Sequence, residues 1–356
     1  MGALRVLTAA EQVGEHLRAE LCRGAWGGRM PGGSRLAVEL GVGRDTVEAA
    51  LRLLEQLGML VPQGAGRRRR IVLPEGKAAR PLRVAILDID PQSVALAEGY
   101  VADLLHRLGE AGHSVFFADK CLQELHMNVG RVARLVRRTE ADAWVVGAGS
   151  REVLEWFAAQ PVPAFALFGR RRGLPIAGVG PDQVSAHVAV ARRLIELGHR
   201  RIVMLARRMR RLPVPGAGER AVLDEMAAHG METGAFNLPD WEETSEGFHE
   251  CLKELFRLTP PTAMIIDEAP FLVAALQFIG GRGLRVPGDV SLVCSDGDPA
   301  FIWCQPTIAH IRWDSRPVVR RVVSWVANIS HGKDDRRQTL TKAEFVAGGT
   351  IGPARG

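Results

Sequence analysis

The sequence predicts a small α+β domain at the N-terminus, followed by a larger α/β domain whose parallel sheets form two lobes. Helical patterns joined by very short connections fill most of the first 60 residues. From residue 84 onward, short apolar runs alternate with helical patterns, as they do in parallel sheets covered by helices on both faces. This alternating part spans about 270 residues, which is long for one sheet and therefore indicates two lobes.

The first domain contains three predicted helices. Thr8 and Glu11 have the spacing of a capping box at the start of the first helix, and an apolar stripe follows them. Ser34 is the predicted N-cap of a short second helix, which ends at Gly41. The third helix, near residues 44–57, buries one face, because its apolar residues recur every three or four positions.

A β-hairpin follows the third helix. Residues 59–61 form its first predicted strand, a Gly-containing turn comes next, and residues 67–73 return as the second strand. A winged helix-turn-helix domain has this order of elements, with three helices joined by tight turns and then a hairpin. In that fold the third helix enters the DNA major groove by its N-terminal end. Arg44 could then pair with a guanine edge, while Thr46 and the helix amides meet phosphates.

Each of these features also has a purely structural explanation. Asp45 and Glu48 are spaced as a second capping box, which would stabilise the helix without touching DNA. The arginine run of residues 67–70 could be a solvated face, although on a wing its side chains would reach the DNA backbone or minor groove. Arg52 lies one turn further along the third helix, where it would be solvated or bound to a phosphate.

The distribution of charge favours a polyanionic partner for the first domain. The chain has a formal net charge of +6. Residues 1–80 contain 13 Lys and Arg against 8 Asp and Glu, so they carry +5 of that charge. A basic excess confined to one part of a chain is typical of nucleic-acid binding.

Composition and cysteine spacing argue against several other classes of protein. With 47% hydrophobic and 24% charged residues, the chain resembles an ordinary globular protein. No apolar run reaches the roughly 18 residues that span a bilayer, and the N-terminus lacks the apolar region of a signal peptide. The five cysteines are widely spaced and form no CxxC pair, so neither a disulfide framework nor a zinc site is expected. We therefore expect a cytoplasmic protein without metal or cofactor.

The second domain shows no motif of the common enzyme classes. No GxGxxG opens a helix after its first strand, and GxxxxGK[ST], HExxH and GxSxG do not occur. Asp88 and Asp90 follow the first strand, at the edge where α/β sheets bind ligands. They could coordinate a metal or simply form the turn that ends the strand. An α/β enzyme with a basic appendage is therefore the less favoured hypothesis.

Residues 12–72 resemble the winged-helix domain of the GntR family of bacterial transcription regulators. The resemblance rests on MPGGSRLAVELGVGRDTVEAALRLLEQLGML and on the wing QGAGRRRRIV. It implies binding to an operator in double-stranded DNA by Arg35, Arg44, Asp45, Thr46 and the wing-tip Gly66. The wing residues Arg67, Arg68 and Arg69 are further candidates. The chain departs from the family at Glu48, where arginine is usual; this carboxylate could accept from a cytosine amine or only cap the helix.

Residues 84–352 resemble the sensor domain of the LacI/GalR repressor family, which has a periplasmic-binding-protein-like fold. The resemblance rests on RRLIELGHRRIVML, on PTAMIIDEAPFLVAALQFIGGRGLRVPGDVSLVCSDGD with QPTIAHIR, and on AEFVAGGTIGP. It implies two α/β lobes that close over a small-molecule effector, with a sugar as the candidate class, and a homodimer. Together the two resemblances imply a regulator, and specifically a repressor, whose operator binding the effector controls.

The second resemblance also implies effector-binding residues. Asp296 matches the aspartate that binds ligand hydroxyls, and Trp241 lies near the position of an aromatic that stacks on the ligand. Ser93 falls in a first-lobe loop that often touches the ligand. Asp88 at the end of the first strand and Arg220 complete the candidate set.

The chain departs from this family at three places in the expected ligand site. The departing positions are Gly218, where the family has arginine, Glu268-Ala269, where it has an Asn-Asp pair, and Gly169-Arg170, where it has Asp-Arg. A site without its bidentate arginine would hold a sugar poorly. The alternative is that Trp241 and Asp296 only pack and cap, and that the sensor is a dimerisation scaffold without a ligand.

Overall fold

The N-terminal part of the chain contains three helices and a two-stranded antiparallel hairpin. The computed structural model describes residues 8–23, 25–64, 67–72, 80–90 and 98–355. The elements of this head are α1 (Ala9–Arg23), α2 (Gly33–Leu40), α3 (Arg44–Gln56), β1 (Leu60–Val61) and β2 (Arg70–Ile71). Leu60 pairs with Ile71 in the hairpin, and a bridge between Arg29 and Arg70 extends it. The predicted winged helix-turn-helix fold is confirmed.

The apolar stripes predicted from spacing meet in one core. Its buried residues come from all three helices and the hairpin, and include Leu17, Leu21, Leu36, Val47, Leu51, Leu54 and Leu60. The predicted capping box of α1 is present. The Thr8 amide donates to Glu11 Oε2 at 2.8 Å, and the Glu11 amide donates to Thr8 Oγ1 at 3.3 Å. These two hydrogen bonds satisfy backbone amides at the start of the helix, which have no acceptor within the helix.

Two other predicted caps are wrong. Gly32 is the N-cap of α2, so Ser34 lies inside the first turn and makes no cap hydrogen bond. Gly43 is likewise the N-cap of α3, and Asp45 lies in its first turn. A side chain inside the helix cannot replace the N-cap residue, whose extended backbone directs its side chain at the next amides. Gly41 does end α2, in the left-handed conformation at a φ of 64°.

The chain divides into two compact units, each with its own α/β sheet. Unit 1 comprises Met1–Gly178, which includes the head, and Val319–Gln338, and unit 2 comprises Val179–Val318 and Thr339–Gly356. The chain therefore passes between the units at three places. The predicted two-lobed α/β fold with parallel sheets is confirmed. The predicted boundaries of head, linker and sensor (1–73, 74–83 and 84–356) stay predictions, because most of that linker lies outside the described residues.

Unit 1 is built on a six-stranded sheet with the order β12-β7-β6-β5-β3-β4. The strands are β3 (Arg83–Leu87), β4 (Ser114–Phe117), β5 (Ala143–Gly147), β6 (Ala164–Leu167), β7 (Ala177–Pro181) and β12 (Gln338–Thr341). The helices are α4 (Glu98–Glu110), α5 (Val129–Arg138), α6 (Arg151–Ala158) and α12 (Ser315–Ser330). Strands β3 to β6 pair in parallel. Phe165 of β6 packs on Trp325 of α12, with ring centroids 5.1 Å apart.

Unit 2 is built on a five-stranded sheet with the order β13-β11-β10-β9-β8. Its strands are β8 (Ile202–Leu205), β9 (Ala263–Ile266), β10 (Ser291–Cys294), β11 (Ala309–Trp313) and β13 (Ala343–Val346). Its helices are α7 (Gln183–Glu196), α8 (Arg208–Arg211), α9 (Ala217–Ala228), α10 (Ser245–Leu258), α11 (Ala269–Gly281) and a 3-10 helix (Pro299–Trp303). Strands β8 to β11 are parallel, and β13 is antiparallel to β11.

Both faces of the unit 2 sheet are buried. Val203 and Leu205 of β8 belong to one core cluster, whereas Ile202 and Met204 belong to another. Successive side chains of a strand point to opposite faces, so helices must cover both of them. This explains why the strands appear in the sequence as continuous apolar runs. The carboxyl ends of four parallel strands then meet at one edge, which is where such sheets bind ligands.

Candidate nucleic-acid interface and ligand site

The N-terminal end of α3 is accessible, as a recognition helix requires. Arg44 and Asp45 are exposed and Thr46 is half-buried, while the buried residues of the helix face the core of the head. The N-cap Gly43 has no side chain to bind the first amides of the helix. Those amides, together with the positive end of the helix dipole, can receive a phosphate. Whether these residues contact DNA stays a prediction.

The remaining predicted DNA contacts lie on α2 and on the wing. Arg35 is exposed on α2, where its Nε donates to Glu39 at 2.7 Å. Arg67 and Arg68 are exposed beside β2. Gly66 lies outside the described residues. The exposed arginines of both elements are therefore available to a polyanion.

Arg69 has a different environment, which favours a structural role, and its contact with DNA stays a prediction. Its Nη2 lies 2.9 Å from Glu48 Oε2 and its Nε binds the Glu55 carboxylate, so two residues of α3 hold the guanidinium. Only 22% of the Arg69 side chain is exposed. Glu48 consequently neither caps α3 nor is free to accept from a base. Its carboxylate also lies over Gly33, where a Cβ would collide with it.

A cluster of charged side chains lies at the carboxyl ends of β8, β9 and β10 in unit 2. Arg210 Nε donates to Glu219 Oε1 at 2.7 Å, and its Nη1 binds the Asp267 carboxylate. Asp267 Oδ2 also accepts from the Arg207 amide at 2.9 Å. Burial acts to lower the pKa of Arg210, but Asp267 and Glu219 outweigh it and raise the pKa. Arg210 thus remains a fixed cation among carboxylates.

Two carboxylates complete this edge of unit 2. Asp296 Oδ1 accepts from Trp313 Nε1 and from the Gly297 amide, both at 2.9 Å. Burial raises the pKa of Asp296. Burial also raises the pKa of Glu268 to about 7, although Arg207 Nε lies 3.1 Å from its carboxylate and opposes the shift. Such carboxylates can accept hydrogen bonds from ligand hydroxyl or amine groups.

The family resemblance places the arginine of the ligand site at position 218, where this chain has glycine. Arg210 therefore could not be identified from the resemblance. Gly218 packs against His187, and a Cβ there would lie 3.0 Å from the imidazole Nδ1. His187 Nε2 lies 3.3 Å from Ser295 Oγ, and burial lowers the pKa of this imidazole. In the sequence, only the run of arginines after β8 indicates a cation near this edge of the sheet. Such a run does not show which of its side chains lies among the carboxylates.

Trp241 is largely enclosed by other side chains, which favours the alternative that it packs in the core, and its stacking on a ligand stays a prediction. It is 6% exposed and packs edge-on against Phe248 and Phe271, with ring centroids 5.1 and 5.3 Å apart. Its Nε1 donates to the Ala206 carbonyl at 3.1 Å, and the Arg211 guanidinium lies 5.0 Å from its ring centroid. Trp241 therefore packs into the core of unit 2, and it also lines a groove on that unit.

A groove of about 650 Å³ lies beside Trp241 on unit 2, but it is not the charged edge described above. It is lined by apolar residues of α10 and of the preceding loop and by several carboxylates. The lining includes Phe236, Leu255, Asp240, Glu242, Glu246 and Glu250. Arg210, Glu268 and Asp296 are not among the lining residues. We therefore place the candidate ligand site at the carboxyl ends of the strands.

The other predicted effector-binding residues have separate positions. Arg220 is exposed on α9, and its Nη2 donates to the Pro215 carbonyl at 3.3 Å, so Arg210 and not Arg220 is the guanidinium among the carboxylates. Asp88 Oδ1 accepts from the Ile89 amide at 2.7 Å at the end of β3, which is the turn that the alternative explanation expected. Ser93 lies outside the described residues.

Two structural findings limit other kinds of site. Within residues 98–355 and the shorter described segments before them, no three His, Cys, Asp or Glu side chains are grouped as a metal ion would need. Over the same residues, no helix has both the length and the apolar character to cross a membrane.

Two family models match the chain. Residues 9–67 match the bacterial regulatory proteins of the gntR family, and residues 191–351 match the periplasmic binding protein-like domain. The chain is also similar to the HTH-type transcriptional regulator AglR of Rhizobium meliloti (strain 1021), with 25% identity over 211 residues. That alignment covers 56% of this chain and 58% of the length of AglR. The predicted combination of a GntR-type head and a periplasmic-binding-protein-like domain is confirmed.

Solved structures support the same fold. The transcriptional regulator CelR in complex with cellobiose has a TM-score of 0.62 and 18% identity, covering 90% of this chain and 100% of that one. The Lac repressor dimer bound to operator and the anti-inducer ONPF has a TM-score of 0.62 and 17% identity, covering 85% and 98%. A transcriptional regulator from Yersinia pestis has a TM-score of 0.64 and 22% identity, covering 77% and 99%.

Proposed function

The chain joins a gntR-family winged-helix domain to a periplasmic binding protein-like domain, and from this we propose that it is a cytoplasmic, sequence-specific transcriptional regulator. Its head binds an operator in double-stranded DNA, and its α/β units bind a small-molecule effector that controls this binding. Repression is the favoured direction, because the operator-bound neighbour is a repressor. The accessible N-terminal end of α3, with exposed arginines on α2 and the wing, is the observation that carries the proposal.

The head has two kinds of DNA contact. Arg44 at the start of α3 reads a base edge, since a guanidinium can pair bidentately with guanine. Thr46 and the first amides of α3 bind phosphates and fix the register of the helix in the groove. Arg35, Arg67 and Arg68 neutralise phosphates on either side.

The effector binds at the carboxyl edge of the unit 2 sheet. Asp296, oriented by Trp313, and Glu268 accept hydrogen bonds from ligand hydroxyl groups, and Arg210 is held in place by Asp267 and Glu219. A sugar is the candidate class, which the cellobiose-bound neighbour supports. The ligand acts by population shift, because it can change DNA affinity only if it binds the DNA-competent and incompetent arrangements unequally.

The regulator acts as a homodimer. Ile302 and Trp303 are 77% and 83% exposed at the end of the 3-10 helix, although Phe301 beside them is buried in the core. Val273 of α11 is also exposed, and Leu272 beside it is buried in the same core cluster as Phe301. Large apolar side chains exposed on rigid elements are typical of protein interfaces. A two-fold dimer presents two heads to a pseudo-palindromic operator.

The first test is capture of sheared genomic DNA by the full-length protein at near-physiological salt, with wild type beside Arg44→Ala. Wild type should enrich a few sites that share a two-fold motif, and Arg44→Ala should lose this enrichment. Removing one bidentate base contact costs roughly 1–3 kcal/mol, which weakens specific binding by roughly 5- to 150-fold. Wild-type affinity should also fall steeply with salt.

Arg131→Ala is the matched control. Arg131 is an exposed arginine on α5 of unit 1, so its replacement changes the net charge equally without altering the head. This variant should enrich the same sites as wild type. Uniform binding of all DNA by wild type and both variants would reject sequence-specific regulation.

A further inference from the structure

One arginine of unit 1 is buried without a counter-charge. Arg171 lies in the loop between β6 and β7, and 9% of it is exposed. Its Nε is out of contact with solvent and has no hydrogen-bond partner among the described residues. Burial lowers the pKa of this guanidinium to about 10, so it is still protonated at neutral pH. A buried charge of this kind is unfavourable unless something compensates it.

The other arginines buried in the described chain are compensated by carboxylates. Arg321 makes a two-pronged contact with Asp335, at 3.0 and 2.8 Å. Arg211 binds Asp240 and also donates to the Ala206 and Trp241 carbonyls. A buried arginine with a purely structural role in this fold is therefore paired with a carboxylate. Arg321 Nε is also without a hydrogen-bond partner, but among the buried arginines of the described residues Arg171 alone has no carboxylate within ion-pair distance.

The position of Arg171 is fixed by residues around it. Gly178 at the start of β7 leaves room for the side chain, because a Cβ there would lie 2.5 Å from Arg171 Cδ and 3.1 Å from its Nε. Gln338 Nε2 donates to the carbonyls of Arg171 and Leu174, at 3.0 and 2.8 Å, and this holds the backbone of the loop. The guanidinium is thus placed by the fold and does not simply fill a gap.

The loop begins where parallel strands end. Phe168 directly after β6 has a φ of 61°, and Ala148 directly after β5 has a φ of 48°. Side-chain-bearing residues in this left-handed conformation are strained, and such strain is concentrated at functional sites. Gly169 follows Phe168, and a Cβ there would lie 2.6 Å from the Gly149 carbonyl oxygen. Two adjacent strand ends therefore hold an unusual backbone at the edge where α/β sheets bind ligands.

We propose that Arg171 is the anion-binding residue of a site on unit 1 that takes the carboxylate or phosphate group of a small molecule. The planar guanidinium can bind either group through two parallel hydrogen bonds. Arg170 and Arg172 flank it and make the local potential more positive, although Arg170 also interacts with Glu152. The inference rests on the proposed function and deepens it, because Arg171 directly follows Gly169-Arg170 of the expected ligand site and an anionic group would narrow the class of effector; it depends neither on DNA binding nor on the carboxylate edge of unit 2.

The test is the thermal unfolding of the full-length protein in increasing inorganic phosphate or acetate, at constant ionic strength. The wild-type melting temperature should rise with one of these anions, and above the dissociation constant it should increase with the logarithm of the anion concentration, as expected for a site that only the folded state offers. Whichever anion gives the larger rise identifies the chemical class. Arg171→Met should lose the response, and Arg171→Lys should weaken apparent affinity by on the order of tenfold. Arg131→Met, at an exposed arginine on α5 of the same unit, is the control for net charge and should respond as wild type.

The same variants distinguish an anion site from a structural arginine. In chloride buffer without the probe anion, Arg171→Met should melt at the wild-type temperature or above it, because it removes an uncompensated buried charge. A lower melting temperature of Arg171→Met in chloride would overturn the proposal, since it would give Arg171 an internal stabilising partner. A wild-type protein that responds to neither anion, or no more than Arg171→Met does, would overturn it as well. None of these results depends on the DNA-capture experiment.

Discussion

At the scale of single residues, the Glu268 carboxylate shows how the fold sets the charge of a side chain. Burial, together with the nearby carboxylates Asp267 and Asp296, raises the pKa of Glu268 to about 7. Arg207 and Arg210 lower it but do not offset the burial. At neutral pH the folded protein thus holds Glu268 partly protonated, so it can donate as well as accept a hydrogen bond.

Replacing Glu268 by Gln should therefore change the pH dependence of stability. The folded-state pKa lies above the ordinary value of 4.5, so the folded state binds the extra proton between these two values. Its contribution to stability is complete below about pH 4.5 and is lost as the pH rises through about 7. Gln does not titrate, so it lacks this loss of stability. As the pH is raised from roughly 5 to 8, we expect the melting temperature of Glu268→Gln to rise relative to that of wild type.

The control for this measurement is Glu232→Gln, which changes an exposed glutamate of the same unit. Its difference from wild type should not vary with pH over the same range. If the difference in melting temperature between Glu268→Gln and wild type is the same at every pH in this range, the carboxylate is ionised throughout and the interpretation is wrong.

Residue positions at the ligand edge were the least predictable part of the sequence. Asp296 was predicted from the resemblance to the LacI/GalR sensor domain, and it lies two residues after β10, at the carboxyl end of a parallel strand. Arg210 was missed because it follows β8 by five positions, on a four-residue helix whose direction no periodicity reveals. Trp241 was predicted from the same resemblance, but a position along the sequence does not show how its ring packs with Phe248 and Phe271.

At the scale of elements, the ion pairs of Arg69 join the wing to the recognition helix. Arg69 precedes β2 directly, while its partners Glu48 and Glu55 lie on α3 two turns apart. Glu48 also covers Gly33 at the first turn of α2. The three elements are thus held together by one partly buried network as well as by their shared apolar core. This is a structural reason for an acidic residue on a helix that should approach phosphates.

Arg69→Met should consequently loosen the head. Two partly buried carboxylates would lose their partner, which destabilises the head by roughly 1–3 kcal/mol. Hydrogen exchange measured by mass spectrometry should show faster exchange of the α3 amides, by about 5- to 150-fold if exchange follows unfolding of the head. The exposed Arg68→Met should leave this exchange unchanged. Equal protection in both variants would show that the ion pairs add nothing to the apolar core.

The elements themselves were predictable, but the details of their ends were not. The spacing of Val47, Ala50, Leu51 and Leu54 was sufficient for α3, because a buried stripe leaves a period in the sequence. Ser34 and Asp45 were assigned as caps from residue preference, yet glycine occupies both N-caps. A cap contributes about 1 kcal/mol, so the packing of a whole helix can move its first residue by one or two positions.

At the scale of the whole molecule, assembly decides whether two heads can act together. The exposed Trp303 is the most prominent apolar side chain that the fold leaves uncovered in unit 2. Trp303→Ser should weaken self-association by about 30-fold or more, as expected for an aromatic at the centre of an interface. Sedimentation equilibrium should then show monomer at concentrations where wild type is dimeric, and DNA binding should become weaker at sites with two half-sites.

Val38→Ser is the matched control for this prediction. Val38 is an equally exposed apolar residue, but it lies on α2 of the head. Its replacement should leave the association constant as it is. If Trp303→Ser sediments like wild type, the dimer forms through another surface.

The three passages of the chain between the units have a consequence for the order in which the protein can be made. The core of the head is drawn from a continuous stretch that ends at Ile71, so it can assemble as soon as that stretch leaves the ribosome. Unit 1 must wait for residues 319–338, which supply Trp325 to cover Phe165. Throughout most of translation a nascent chain therefore carries a complete head on an unfinished sensor. Messages interrupted before these last segments would yield products that retain the head's core but have neither α/β unit complete.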